Sequence, residues 1–461
     1  MYNSQLVRLT GALSASEQRE LRKLITSPYF NQRKDVVSLY DWIIGRQSDA
    51  AACSKASAMT DLGWTDDLLR LRMTYLLRLV EQYLIQKESE QDELSRELLL
   101  ATALRKRRLD AAFARQQKYV GQQLAQRHTK DHHFYEMQYR LQWECHEQGV
   151  AQPAHIDHIL AASEALDIAY WIQKIKLICL AVAQQSVYAT AGRVKYEQET
   201  IAFAAQYAPE ERSIAIYLYC YHMMRNPEEE AHFTAFKQLF LETTAVFSPE
   251  EHRSLLTWAV NYCVRRINFG EKKFYKEVTD LYKYGLEQGL LLENNEISAY
   301  AYSNIIAAGL QAEDYKWADY VIQTYKNNLP RTVRESMYSF NMARYAYAQK
   351  DYDAVLELLQ KVRHRDILVD LAAKTMLIKT WYALEEYDTL QSHLDAMRNF
   401  IHRKKILGYH RTNYLNIIKY TDRLLNINHN NKKDHEQLKL MISQEEHLTE
   451  RQWLLDQMVS S

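Results

Sequence analysis

Clustered histidines and acids are the residues of this sequence that first suggest metal chemistry. The possible ligands lie in one segment and are His128, His132, His133, Glu136, His155 and His158. On a helix, His128 and His132 would share a face because they are four residues apart. Their neighbours Thr129, Lys130 and Asp131 are polar and typical of a helix end or loop. We therefore interpret these histidines as facing solvent and assign no metal ligand.

A helical di-iron site is the second metal arrangement to consider. It requires two Glu-x-x-His pairs together with further carboxylates. The pair Glu229 and His232 alone has this spacing, and Glu229 is explained as an acid in the first turn of a helix. The sequence therefore predicts no metal ion and no cofactor.

Local enzyme signatures are absent from the sequence. It contains no GxGxxG, GxxxxGK[ST], GxSxG or HExxH motif. We predict a protein that is not an enzyme. A helical enzyme without a local signature stays open as an alternative, and it would need a deep pocket with converging titratable groups.

Glycine and proline are scarce, which bears on the elements that position any site. The 461 residues include 11 Gly and 6 Pro, whereas average usage is about 7% and about 5%. Sandwiches, barrels and doubly wound sheets need many turns built on these residues. All six prolines fall at helix boundaries, as in the Pro-Glu-Glu segments that follow Asn226 and Ser248. The sequence predicts an all-α fold.

Charge and cysteine usage limit the partners and the compartment. The 58 basic and 58 acidic residues balance, which argues against broad binding to nucleic acid or to an anionic membrane. The five cysteines are widely spaced without a CxxC pair, a pattern typical of reduced thiols. The N-terminus lacks the features of a signal peptide, and the apolar run at 177–183 is far shorter than the roughly 20 residues of a membrane helix. We expect a cytoplasmic protein that does not bind membranes.

Helical periodicity predicts four segments. They are an N-terminal helical domain at 1–90, a long-helix region at 91–205, helical repeats at 206–424 and C-terminal capping helices at 425–461.

The N-terminal segment carries the alternative of nucleic-acid binding. Short helices followed by a long one predict a helix-turn-helix-like unit whose contacts would be Arg70, Arg72 and Arg78. Asp66 and Asp67 at the start of the long helix would repel phosphate. A DNA-binding regulator with a repeat sensor domain is therefore the alternative function.

Three similar turns show an internal repeat. Tyr315, Tyr352 and Tyr387 each follow an acidic residue at a predicted turn, and they are 37 and 35 residues apart. This spacing and the acid-Tyr turn resemble the tetratricopeptide repeat, a hairpin of two antiparallel helices. The resemblance implies an α-solenoid of stacked hairpins. Gly309 departs from the family pattern, which has an aromatic residue in the first helix.

A second resemblance concerns the layout. The Ser-Pro-Tyr-Phe-Asn segment at 27–31 precedes a long helical-repeat region. This arrangement resembles the opening of uncharacterised bacterial helical-repeat proteins, and the resemblance implies no activity.

The tetratricopeptide resemblance implies a binding face, because in this family the first helix of each hairpin lines the concave surface. The register gives hairpins starting near Ala299, Ser336 and Leu371. The residues of that face would be Tyr300, Ser303, Asn304, Ala307, Gln311, Met337, Phe340, Asn341, Arg344, Tyr347, Thr375, Lys379 and Tyr382.

From this face we predict a non-enzymatic scaffold or regulatory adaptor that binds a protein or peptide. The predicted partner-binding residues are Tyr300, Asn304, Asn341, Arg344, Tyr347, Lys379 and Tyr382. Tyrosine is favoured at interfaces, and the chain has 33. Asn304 and Asn341 match an Asn position with which some family members clamp a terminal carboxylate, but the partnering lysines are absent.

Overall fold

The structure is a computed structural model, and it confirms the all-α prediction. It describes residues 1–149, 155–188, 192, 194–243, 246–362, 367–403, 409–427 and 432–458. Over these residues the regular elements are 23 α-helices and one short 3-10 turn, without a β-strand. The chain divides into two compact units, Met1–Ile175 and Lys176–Ser461.

The first unit is built from helices α1 to α8. Their bounds are α1 Gln5–Ala12, α2 Ala15–Thr26, α3 Lys34–Ile44, α4 Lys55–Leu62, α5 Asp66–Gln91, α6 Glu93–Lys106, α7 Asp110–Gln126 and α8 His132–Gln148. Helix α9, His155–Tyr188, begins in this unit and ends in the next.

The first five helices enclose one apolar core, because each presents apolar residues at helical spacing. Leu21, Leu39 and Leu76 are fully buried in it. The predicted capping box at the start of α2 is present. The Ser14 hydroxyl accepts from the Glu17 N–H at 3.3 Å, and the Glu17 carboxylate accepts from the Ser14 N–H at 2.8 Å.

The second unit continues with helices α10 to α23. Their bounds are α10 Glu197–Tyr207, α11 Arg212–Arg225, α12 Glu230–Glu242, α13 Pro249–Asn268, α14 Phe274–Glu287, α15 Ala299–Gln311, α16 Tyr315–Tyr325, α17 Arg334–Ala348, α18 Tyr352–Gln360, α19 Ile367–Ala383, α20 Tyr387–Arg403, α21 Tyr409–Leu425, α22 Lys432–Gln444 and α23 Arg451–Gln457.

Helices of the second unit pack in chain order. From α10 to α21 each helix contacts the next one. Alternate helices also contact each other where α15 meets α17 and α17 meets α19. This pattern brings α15, α17 and α19 side by side.

The three repeated turns share one backbone geometry. Glu313, Lys350 and Glu385 have positive φ angles of 60°, 60° and 58°. The N–H of the following residue donates to the carbonyl oxygen five residues before it, from Asp314 to Gly309 at 2.9 Å, from Asp351 to Ala346 at 2.9 Å and from Glu386 to Trp381 at 3.0 Å. This bond satisfies a carbonyl at the helix end. The acid-Tyr motif thus corresponds to one recurrent helix-to-helix connection.

Gly309 has a packing reason. A Cβ at this position would lie 2.9 Å from Cε3 of Trp317 and 3.4 Å from Cβ of Ala318. The missing side chain allows α15 and α16 to approach closely, which an aromatic residue would prevent.

Candidate functional site

A cavity of about 530 Å³ lies in the second unit against α15, α17 and α19. Its wall is completed by Tyr414 of α21 and by Thr449 and Glu450, which precede α23. The remaining lining residues are Tyr300, Ser303, Ala307, Leu310, Gln311, Glu313, Tyr315, Met337, Phe340, Arg344, Tyr347, Ala348, Leu368, Val369, Ala372, Thr375, Met376 and Lys379. The cavity therefore has apolar walls and a few charged groups.

Most of the predicted face lies at this cavity. Spacings of three and four residues put side chains on one side of a helix, and the three helices turn that side to the same space. The predicted residues that line the cavity are Tyr300, Ser303, Ala307, Gln311, Met337, Phe340, Arg344, Tyr347, Thr375 and Lys379. Asn304, Asn341 and Tyr382 do not line it.

Arg344 is one of the two cationic residues that line the cavity. Its Nη1 donates to the backbone carbonyl oxygen of Ser303 at 3.1 Å, and its guanidinium carbon lies 5.7 Å from the ring centre of Phe340. Over the described residues it makes no ion pair with a carboxylate. Burial lowers the pKa of Arg344, because removing a cation from water disfavours the charged form.

Lys379 is the second cation, and it is paired. Its Nζ lies 2.9 Å from Oε2 of Glu450 and 4.8 Å from the ring centre of Tyr347. The Lys379 side chain is 17% exposed, and that of Glu450 is 37% exposed. The ammonium is thus held between a carboxylate and an aromatic face.

Tyr347 and Tyr300 supply the aromatic surface. Tyr347 is half-buried, and burial raises the pKa of its hydroxyl. Its ring meets that of Tyr352 edge to face, with the centroids 5.7 Å apart. Tyr300 is 56% exposed at the edge of the cavity.

Asn341 has a different position from the one predicted. It is fully buried, and its Nδ2 donates to the Ser303 hydroxyl at 2.9 Å and to the Met337 carbonyl at 2.8 Å. Its Oδ1 is buried without a hydrogen-bond partner. Asn341 therefore joins α17 to α15 and does not face the cavity.

Asn304 and Tyr382 also lie away from the cavity lining. Asn304 is exposed on α15. Tyr382 packs edge to face against Trp453 at 5.5 Å and against Tyr387 at 6.1 Å. It therefore links α19 to the C-terminal helices.

Two hydroxyls of the cavity wall are already engaged, and the five cysteines, none of which lines the cavity, are buried. The Ser303 hydroxyl accepts from Asn341, and the Thr375 hydroxyl donates to the Leu371 carbonyl at 2.9 Å. The cysteines are buried and free, and burial raises the pKa of Cys145 to about 11. None of these groups is arranged as an activated nucleophile.

The histidine segment gives no ligand cluster. Over the described residues, groups of three or more His, Cys, Asp or Glu in metal-binding proximity are absent. His133 pairs with Asp92 at 3.1 Å, and His158 lies 2.6 Å from the Gln142 side chain. The side chain of His155 is outside the described residues.

The two residues considered for a di-iron site, Glu229 and His232, pair with each other at the start of α12. His232 lies 3.1 Å from the Glu229 carboxylate, and its ring stacks on that of His222 with the centroids 4.8 Å apart.

The arginines proposed to contact DNA differ in their surroundings. Arg72 is only 12% exposed and pairs with Asp35. Arg70 pairs with Asp66 at 2.9 Å, and Arg78 is exposed. Two of the three guanidiniums are thus neutralised by acids of the same unit.

Two cavity residues have no signal in the sequence. Thr449 and Glu450 are distant along the chain from α19 and belong to no repeat. Their position follows from the packing of α23, whose Leu454 is fully buried. Only the folded arrangement brings Glu450 to Lys379.

Within the described part of the chain, helices long and apolar enough to cross a membrane are absent. Comparison of the chain with protein-family models, with curated proteins and with solved structures found no match.

Proposed function

We propose that the protein is a non-enzymatic scaffold or regulatory adaptor that binds a peptide segment of a partner protein in the cavity of the second unit. In this proposal the hairpins form a tetratricopeptide-like solenoid, and α15, α17 and α19 carry the binding face. The recurrent turns at Glu313, Lys350 and Glu385 and the contacts between alternate helices support it.

The observation that carries the proposal is Arg344. A cation that is held in a recess without a paired carboxylate loses hydration energy, and the Ser303 carbonyl and the Phe340 ring restore only part of it. A ligand that brings acceptor oxygens would restore it, and a guanidinium can donate two parallel hydrogen bonds to a carboxylate. We therefore propose that the bound segment is acidic.

The walls of the cavity add a second requirement. Met337, Phe340, Val369 and Met376 provide apolar surface beside Arg344. A volume of about 530 Å³ is within the roughly 300–1,000 Å³ of ligand pockets. The proposed ligand is thus a short segment in which acidic and apolar side chains alternate.

A binding titration with two synthetic peptides tests the proposal. The probe is a fluorescein-labelled peptide of repeating Glu-Leu pairs, and its neutral counterpart has Gln in place of Glu. We expect the full-length protein to bind the acidic peptide and to discriminate against the neutral one by at least about tenfold, the effect of a charge-assisted hydrogen bond worth about 1.5 kcal/mol.

The matched variants are Arg344→Gln and Arg398→Gln. Arg344→Gln should weaken binding of the acidic peptide about tenfold or more. Arg398→Gln removes the same charge from an exposed pair with Asp395 on α20 and should leave the affinity unchanged. Equal binding of both peptides, or normal binding by Arg344→Gln, would refute the proposal.

A further inference from the structure

Glu450 brings a carboxylate of the chain itself to the cation-lined cavity. Its Oε2 meets the Lys379 ammonium at 2.9 Å, and the residue forms part of the wall around Arg344. This is the chemistry that the proposed acidic ligand would also offer. The cavity therefore holds an internal competitor for one of its two cations.

We propose that Glu450 is an intramolecular gate, which pairs with Lys379 in the ligand-free protein and is displaced when an acidic segment binds. This inference rests on the proposed function of the cavity. It adds that binding is an exchange of one carboxylate for another at Lys379. It also adds that Glu450 lowers the apparent affinity of the cavity.

Contacts with neighbouring helices hold the chain on both sides of Glu450. The Asn416 side chain donates to the His447 carbonyl at 2.8 Å, and the Tyr420 hydroxyl donates to Glu445 at 2.7 Å. After the gate, Leu454 is fully buried and Trp453 packs on Tyr382. Both sides of Glu450 are thus fixed to neighbouring helices, so displacement requires only its side chain to move.

The contact itself is weak enough to exchange. Glu450 is 37% exposed, and ion pairs with a solvent-exposed partner contribute little net free energy. The side chain of Glu450 forms no cap at the start of α23, so its displacement from Lys379 does not remove a cap from that helix.

The negative charge of Glu450 also acts on two other residues of the cavity wall, Arg344 and Tyr347. Its charge raises the pKa of Arg344 against the larger opposing effect of burial. It also contributes to raising the pKa of the Tyr347 hydroxyl. While Glu450 remains in place, an approaching acidic ligand meets its negative charge and finds Lys379 already paired. Removal of this charge should therefore improve binding of an acidic ligand in two ways: it ends the repulsion of the ligand, and it frees Lys379.

The test compares charge-neutral variants of three glutamates with the acidic Glu-Leu peptide as probe. Glu450→Gln keeps the size of the side chain and releases Lys379, and we expect its affinity to rise about fivefold or more. Glu313→Gln removes a charge from the cavity wall without breaking an ion pair and controls for long-range electrostatics. Glu446→Gln is exposed on the same loop and controls for net charge.

Acetylation of Lys379 gives a readout that needs no ligand. An amine-reactive acetyl ester, followed by mass spectrometry, should modify Lys379 about threefold faster in Glu450→Gln than in the parent protein. The acidic peptide should slow this reaction in Glu450→Gln, because its carboxylates take the place of Glu450. Should Glu450→Gln not fold, Glu450→Asp withdraws the carboxylate by one methylene and is expected to act in the same direction.

The outcomes separate the two proposals. If the parent, Glu450→Gln and Glu313→Gln bind the peptide equally well and Arg344→Gln binds it more weakly, the cavity is a binding site and the gate is refuted. If the peptide binds none of them, both proposals are refuted. An unchanged rate of Lys379 acetylation in Glu450→Gln would refute the gate by itself.

Discussion

Asn341 donates a hydrogen bond from Nδ2 to the hydroxyl of Ser303 at 2.9 Å, and this bond joins the first helices of two successive hairpins. The same amide also donates to the Met337 carbonyl. These contacts make Asn341 a residue that connects α17 to α15, whereas Arg344, three residues later on α17, lines the cavity.

Asn341→Ala should therefore destabilise the second unit. It removes two hydrogen bonds of a fully buried group and leaves the Ser303 hydroxyl without its partner, a loss of about 1–2 kcal/mol in the free energy of unfolding. Urea denaturation followed by circular dichroism measures this. Asn304→Ala changes the equivalent exposed position on α15 and should stay within about 0.5 kcal/mol of the parent. Equal stability of the two variants would contradict the assignment.

Arg344→Met should separate function from stability. Methionine fills similar space, and it removes both one hydrogen bond and a cation that is costly to desolvate. We expect the free energy of unfolding to fall by no more than about 0.5 kcal/mol or to rise, whereas binding of the acidic peptide is lost. Denaturation and peptide titration on the same preparation provide the measurement. A loss of more than about 2 kcal/mol would instead assign Arg344 a structural role.

Gly309→Ala should be harmful although alanine favours helices. The added methyl group would lie 2.9 Å from the Trp317 ring, and overpacking of this kind costs about 1–3 kcal/mol. Gly121→Ala is the matched control, since its Cβ meets nothing within 4 Å and the change should stabilise α7 by up to about 1 kcal/mol. Hydrogen exchange of peptides that cover α7 and α15 reports each change locally. A stabilised α15 would show that the Trp317 ring moves aside freely.

Acid should weaken the second unit through His252. This residue is 4% exposed, its Nε2 lies 2.9 Å from the Tyr284 hydroxyl, and burial lowers its pKa. A lowered pKa in the folded state means that the unfolded chain binds more protons below the ordinary value of about 6.5. The stabilisation is complete above that pH and is lost as the pH falls through the folded-state pKa.

The measurement is the midpoint of thermal unfolding from pH 8 to pH 5. The parent protein should show a falling midpoint below about pH 6.5, and His252→Gln a shallower decline. Burial lowers the pKa of His222 and His393 in the same direction, so part of the decline should remain in the variant. Identical pH profiles would show that His252 does not contribute.

The helical class and much of the cavity face were predictable because their signals are local. Arg344 and Tyr347 are three residues apart on one helix, and the repeat spacing of 35 residues aligns Arg344 with Lys379. Local spacing does not distinguish adjacent positions on that broad face. The side chain of Asn341 bonds to Ser303 of α15 and does not face the cavity, because its orientation depends on how closely α15 and α17 approach each other.

Glu450 could not be predicted from the sequence for a different reason. Its contact with Lys379 spans a long stretch of chain and depends on the packing of α23, whose sequence carries no repeat. Contacts of this kind follow from tertiary packing, and neither periodicity nor a turn motif indicates them.

The low glycine content also has a structural explanation beyond the scarcity of turns. Gly63 and Gly289 end helices with positive φ angles, as glycine commonly does. At Glu313, Lys350 and Glu385 the chain adopts the same conformation without glycine. These three helix ends thus reach the left-handed conformation without a glycine.

The cavity draws its wall from α15, α17, α19 and the residues before α23, whereas most helices of the second unit contact only their close neighbours. If the second unit is a solenoid of hairpins, as we propose, it can open from one end, one hairpin at a time. A bound segment would then add further contacts between hairpins that bonds such as the one from Asn341 to Ser303 already join. Binding in the cavity would then determine whether the hairpins from α15 onwards unfold one after another or in a single cooperative transition.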